Sequence, residues 1–259
     1  MLIRDFIDLF ESEIPLSLQD DWDNSGWQLG DKDSDLKGIL LCVDVTEDVI
    51  DQAISLGANL IVAHHPILFR PTKSLDMDYF ITRKLIKAVK NDICIYACHT
   101  PIDVHKNGLN SYVFKKIGFK SQDKLIYTYE DNGYGDVSSF PTRKVWDLAD
   151  QIKERLDLDH LILYGDEEKE VGKVCLVTGS GASFLPECLR QKVELLITAD
   201  VGHHDAMDAQ EQGITVMDLG HYQSERFFNE LLLEKINKMA PEVKVFLQEE
   251  SEKYLRKIF

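Results

Sequence analysis

Short, wholly apolar runs recur along this chain, each followed by residues of helical periodicity, and that alternation constrains the fold more than any other feature. GILLCVDV (38–45), NLIVAHH (59–65) and ICIYACH (93–99) are the first three. A strand buried on both faces reads as a continuous apolar run, because neither face can carry polar side chains. Between them lie helical stretches. Residues 2–13 place Leu2, Phe6, Leu9 and Phe10 on one face. TEDVIDQAISLG (46–57) has Thr46 as a helix N-cap and Gly57 as a stop, and residues 77–92 and 109–118 also read as helices. The second half repeats the design. Strands are expected at 173–181, 195–204, 214–221 and 243–248, and helices at 184–192, 205–213 and 224–239.

The expected fold is therefore α/β, with two similar lobes, each a mostly parallel or mixed sheet covered by helices. The lobes are placed at 1–125 and 126–259, with no inserted middle domain. Residues 120–172 are less regular, carry GYGD (133–136) and the acidic turn GDEEKE (165–170), and read as a connection. Residues 20–31 read as a polar turn anchored by Trp22 and Trp27. A chain of 259 residues is long enough for this arrangement and its apolar cores.

Charge excludes some partners. The 29 basic residues against 45 acidic ones give −16, a surface that repels phosphate backbones and makes a broad nucleic-acid footprint an unfavourable reading. A small anion held at a local positive centre stays compatible with it. The five cysteines sit mostly in apolar runs, which fits buried free thiols in a reducing compartment. The acid-bearing N-terminus and the lack of a run near the ~20 residues needed to cross a bilayer point to a soluble, cytoplasmic protein.

The chemistry sits at strand ends. His64 and His65 end one apolar strand, His99 and nearby Asp103 follow another, and His221 ends a third. In a parallel sheet these ends share one edge, where ligands of open α/β folds bind. Glu225 lies four residues after His221, a spacing that puts both on one helix face. Imidazole with carboxylate suits zinc, iron or manganese. Five such residues exceed a three-ligand catalytic zinc site and suit two divalent ions that share a water and leave a net positive focus for a phosphate-bearing substrate. The metal site is expected at the strand C-terminal ends, between the lobes. His203 and His204 form a second pair, flanked by Asp200 and Asp205, that reads equally as an acid/base group or a surface feature. His105 and His160 read as surface residues. GSGAS (179–183) reads as a tight turn, since it lacks the phosphate-loop lysine.

WDNSGWQLGD, LIVAHHPILF, HTPID…GLN, ITADVGHHDAMDAQEQGI and GHYQSE occur in an order that resembles the NIF3-like dinuclear-metal proteins, also called GTP cyclohydrolase 1 type 2 homologues. The resemblance spans nearly the whole chain. It implies that His64 and His65 are paired metal ligands, that Asp103 bridges the ions, and that His221 and Glu225 complete the set. It also implies a homohexamer built as a trimer of dimers. Pro101 departs from the small or apolar residue common there, leaving the ligands untouched. The cyclohydrolase activity would need a metal-activated water to attack the imidazole-ring carbon of the purine, with His99 or His203 carrying protons. Three readings follow: a metal-dependent hydrolase of a nucleotide or other phosphorylated small molecule, a non-enzymatic metal-binding regulator or metal-handling hexamer, and a nucleic-acid-binding ring, which the acidic charge disfavours.

Overall fold

A computed structural model describes residues 1–249. The chain opens with helix α1 (Ile3–Glu13) and strand β1 (Gly26–Leu29), then strand β2 (Ile39–Cys42), helix α2 (Glu47–Leu56), strand β3 (Leu60–Ala63), helix α3 (Phe80–Lys90), strand β4 (Cys94–Ala97) and the short helix α4 (Thr100–Val104). There follow helix α5 (Leu109–Lys116), strands β5 (Asp123–Tyr129) and β6 (Asn132–Lys144), helix α6 (Val145–Leu156), and strands β7 (Ile162–Tyr164) and β8 (Glu170–Ser180). Helix α7 (Leu185–Arg190), strand β9 (Leu195–Ala199), helix α8 (His203–Glu211), strand β10 (Thr215–Asp218), helices α9 (His221–Glu225) and α10 (Phe228–Met239), and strand β11 (Val245–Leu247) complete it.

Among the described residues two compact units result: 1–102 together with the described chain from 228 onward, and 103–227. The division expected after residue 125 falls inside β5. The last helix and strand, expected in the second lobe, belong to the first unit.

In the first unit the sheet order is β1-β4-β3-β2-β11, with β1 alone antiparallel. β2, β3 and β4 are buried at every position, as strands covered on both faces must be. Leu40, Cys42, Ile61, Ala63 and Ile95 pack toward Val49, Ile50 and Ala53 of α2 and Leu85 and Ala88 of α3. On the other face Tyr96 meets Phe10 of α1 edge-on, with ring centroids 5.7 Å apart, and α10 packs on β2. The Thr46 hydroxyl accepts a hydrogen bond from the Val49 N–H, and Gly57 takes the left-handed conformation (φ 70°), so α2 begins and stops where its residues dictate.

The second unit has sheet order β5-β6-β8-β9-β10-β7, with β8, β9 and β10 parallel and the rest antiparallel. Residues 120–172 are thus structural rather than a plain connection. They supply a long β5–β6 hairpin, a helix and an edge strand. Lys124 and Asp136 of the hairpin form a buried ion pair at 2.8 Å, further bonded to Ser111. β1 likewise lies within residues expected to be a turn. The His203–His204 pair does not end a strand: it opens α8. All five cysteines are buried and free. No helix among the described residues is long and apolar enough to cross a membrane.

Candidate metal centre

In the first unit the parallel register builds the site. Cys42 pairs with Ala63, and Ala63 with Ala97. Two residues beyond each lie Asp44, His65 and His99, so three polar side chains emerge in one row where the strands end. His64, fully buried, sits beside them. One nitrogen from each of His64, His65 and His99 lies within 4.8 Å of the others.

Each ring is held by a partner on its Nδ1. His64 Nδ1 lies 3.1 Å from the Cys98 carbonyl oxygen. A carbonyl only accepts, so Nδ1 carries the proton and Nε2 the lone pair, the tautomer that coordinates a metal. His65 Nδ1 lies 2.9 Å from Asp44 Oδ1, and His99 Nδ1 2.8 Å from Asp23 Oδ1. Asp23 is itself anchored: Ser25 and Thr100 hydroxyls donate to its Oδ2, both at 2.6 Å, and the Thr100 N–H also donates. Burial alone would raise the Asp23 pKa, but these hydrogen bonds and the charge of His99 outweigh it and hold the carboxyl well below the usual range.

The second unit repeats the device with different groups. Gly179, Asp200 and His221 follow or close the three neighbouring parallel strands β8, β9 and β10. His221 Nδ1 lies 2.7 Å from Asp200 Oδ2, and its Nε2 lies 3.0 Å from Glu225 Oε2. Glu225 is buried, four residues along α9, as the spacing predicts. A Cβ at Gly179 would run into Glu225 Oε1, and Gly179 has φ 63°, a left-handed conformation that favours glycine, so glycine here leaves the carboxylate where it is. The Gly179 N–H donates to Ser224 Oγ at 2.9 Å, which fastens the GSG turn to α9. Asp103, on α4 and half-buried, accepts through its backbone carbonyl from Asn110 Nδ2 at 2.9 Å. Asn110 Oδ1 in turn accepts from the Thr178 N–H at 2.8 Å, so Asp103 is tied to the strand end that cradles Glu225.

The residues fit a divalent ion in kind. His64 is held in a coordinating tautomer, His65 and His221 each present Nδ1 to a carboxylate, and a buried carboxylate is fitted against a glycine. The sequence offered the candidate ligands and the candidate proton carrier His99 but missed the residues that aim their rings: Asp44 for His65, Asp200 for His221, and Asp23, with Ser25 and Thr100 behind it, for His99. The available signal was an acid closing an apolar strand, as in LLCVDV and LLITAD. His99 groups with the first-unit histidines. His203 and His204 stand exposed on the first turn of α8, outside these groupings. His105, expected at the surface, is buried, and its Nδ1 accepts from the Asn107 N–H.

Two mixed α/β units, the first with three histidines and the second with one at parallel-strand ends, each ring backed by a carboxylate or carbonyl acceptor, define a class of α/β protein whose donor set could hold a metal ion. The chain belongs to the Duf34/NIF3 (NGG1p interacting factor 3) family, whose model matches residues 1–253. It is 34% identical over 227 residues to a GTP cyclohydrolase 1 type 2 homolog of Clostridium acetobutylicum, covering 86% of this chain and 85% of the relative. A relative of the same description from Clostridium perfringens is 35% identical over 229 residues, covering 87% of each. A Bacillus cereus protein related to NIF3 shares the fold at TM-score 0.92 and 22% identity, covering 100% of this chain and 99% of that one.

Proposed function

We propose that the chain is a dinuclear metal protein and a metal-dependent hydrolase of a nucleotide or another phosphorylated small molecule. His64, His65, Asp103, His221 and Glu225 hold two divalent ions, of zinc, iron or manganese. The observation that carries this reading is the backing of the imidazoles: His64, His65 and His221 each present Nδ1 to an acceptor, which is how metal-bound histidines are oriented. Divalent ions held by these residues would supply Lewis acidity and activate water for attack. The chain's own residues do the rest. Asp44 and Asp200 fix ring orientation, Gly179 admits the Glu225 carboxylate, and Asp23 holds His99 by Nδ1 so that its Nε2 can carry a proton. His99 suits that role better than the exposed His203.

The relatives' description supports a nucleotide substrate, the family resemblance supports a homohexamer, and the buried free cysteines support a reducing compartment such as the cytoplasm. The test is turnover with the metal-replete protein across nucleoside phosphates and other phosphorylated metabolites, beside Asp103→Ala. Hydrolysis that disappears in the variant while the oligomer persists, by light scattering, is the expected result. Absence of turnover on every substrate, with metal bound, would leave a metal-handling protein and sink the hydrolase reading.

A further inference from the structure

In the first unit a cavity of about 1130 Å³ opens beside His65, between the start of α2, the segment 66–74 and the start of α3. Its volume exceeds the ~300–1,000 Å³ typical of small-ligand pockets. Its lining is unlike the rest of this acidic chain. Four cations reach it, Arg70, Lys73, Arg83 and Lys84, against two acids, Asp44 and Glu47.

Those charges are not equally committed. Arg83 Nε pairs with Glu47 at 3.3 Å, and Asp44 is engaged by His65. Lys84 donates to the Val45 carbonyl at 2.8 Å, and burial lowers its pKa, partly countered by Asp44 and Glu47. Arg70 and Lys73 are exposed and have no acidic partner among the described residues. Two uncommitted cations therefore border a cavity whose acids are already occupied. The same wall carries Phe69, Tyr79 and Phe80, each about half exposed, an unusual allotment of aromatic surface to water. Phe69 also meets the exposed Trp22 edge-on, with ring centroids 6.2 Å apart. Aromatic faces beside unpaired cations recognise a planar ring that bears an anionic group.

We propose that this cavity binds an organic phosphate, with its planar ring packed on Phe69 and Phe80 and its phosphoryl oxygens held by Arg70 and Lys73. As the substrate subsite of the hydrolase it rests on the reading above; as a binding site it stands on the cavity alone. His65 lines the same cavity, so a ligand held there borders a proposed metal ligand.

Calorimetric titration tests it. The probes are the adenine and guanine nucleoside β,γ-imidotriphosphates and inorganic tripolyphosphate, added to the wild type, Phe69→Ala and the double variant Arg70→Glu/Lys73→Glu. All three positions are exposed, so the variants should fold, and thermal melts confirm it. At least one nucleotide analogue should bind the wild type saturably and tripolyphosphate more weakly. Charge reversal should weaken both by about tenfold or more, and Phe69→Ala should weaken only the nucleotide. Absence of saturable binding by all three probes, or an affinity indifferent to charge reversal, overturns the proposal. Equal binding of tripolyphosphate and nucleotide overturns its ring component. The two readings separate cleanly. Arg70- and Lys73-dependent binding without turnover of any metabolite removes the hydrolase and keeps the site. Turnover of a nucleotide whose KM ignores the charge reversal removes the cavity's role as substrate subsite and keeps the hydrolase, while the titrations decide the binding site.

Discussion

The two strand-end clusters use one topological device for different chemistry. In the first unit, adjacent parallel strands in register deliver Asp44, His65 and His99 in a row, and His64 lies buried beside them. In the second, three parallel strands deliver Gly179, Asp200 and His221, and a helix adds Glu225. The first cluster contributes three imidazoles held by outer acceptors. The second contributes one imidazole set between two carboxylates, one of them buried. The difference teaches where each is vulnerable: the first depends on a hydrogen-bond network and the second on a fitted space.

The largest effect should come from the network. Asp23→Ala strands the Ser25 and Thr100 donors and His99, and should cost about 3 kcal/mol in urea unfolding, because several buried groups lose their partner at once. A cost near zero would mean that water replaces the carboxylate. Gly179→Ala attacks the fitted space. The added methyl meets Glu225 in a left-handed backbone conformation, so about 2 kcal/mol should be lost, together with bound metal. A stable variant with full metal content would contradict the cradle.

The orienting acids sharpen the comparison. Asp44→Ala and Asp200→Ala should each weaken metal binding about 10–100-fold, by competition with a chromophoric chelator, while melts move little. Thr46→Ala, remote from both clusters, should cost about 1 kcal/mol through its lost cap. The smallest effect is expected at thiols. Burial raises the pKa of Cys42, Cys94 and Cys175, so the native protein should resist alkylation at neutral pH and become reactive on unfolding.

Legibility followed burial. The strands ILLC, LIVA, CIYA, LLITA and TVMD are buried at every position, so their apolar runs identify them without any knowledge of neighbours. The hairpin of β5 and β6 was hidden because its strands are part-exposed and β6 carries Gly133, Gly135 and Pro141, residues that argue against a strand. Pro141 is accommodated where the pairing with β8 shifts register between Ser139 and Arg143. β1 was hidden for a related reason, since GWQL has little apolar length and is recruited by β4. The return of α10 and β11 to the first unit depends on a partner strand two hundred residues earlier in the chain, which no local pattern reports. At the candidate site the histidines were legible from position at strand ends. Their orienting acids were not, because register between strands decides which acid meets which ring.

The central claim is that this donor set holds metal. The most direct test is metal content per chain by plasma mass spectrometry on untagged wild type, His65→Ala and Glu225→Ala, each checked for fold by circular dichroism. About two ions per wild-type chain, largely lost from both folded variants, is the predicted result. A folded wild type that holds none after reconstitution with zinc, iron or manganese would contradict the account, and the hydrolase reading would fall with it.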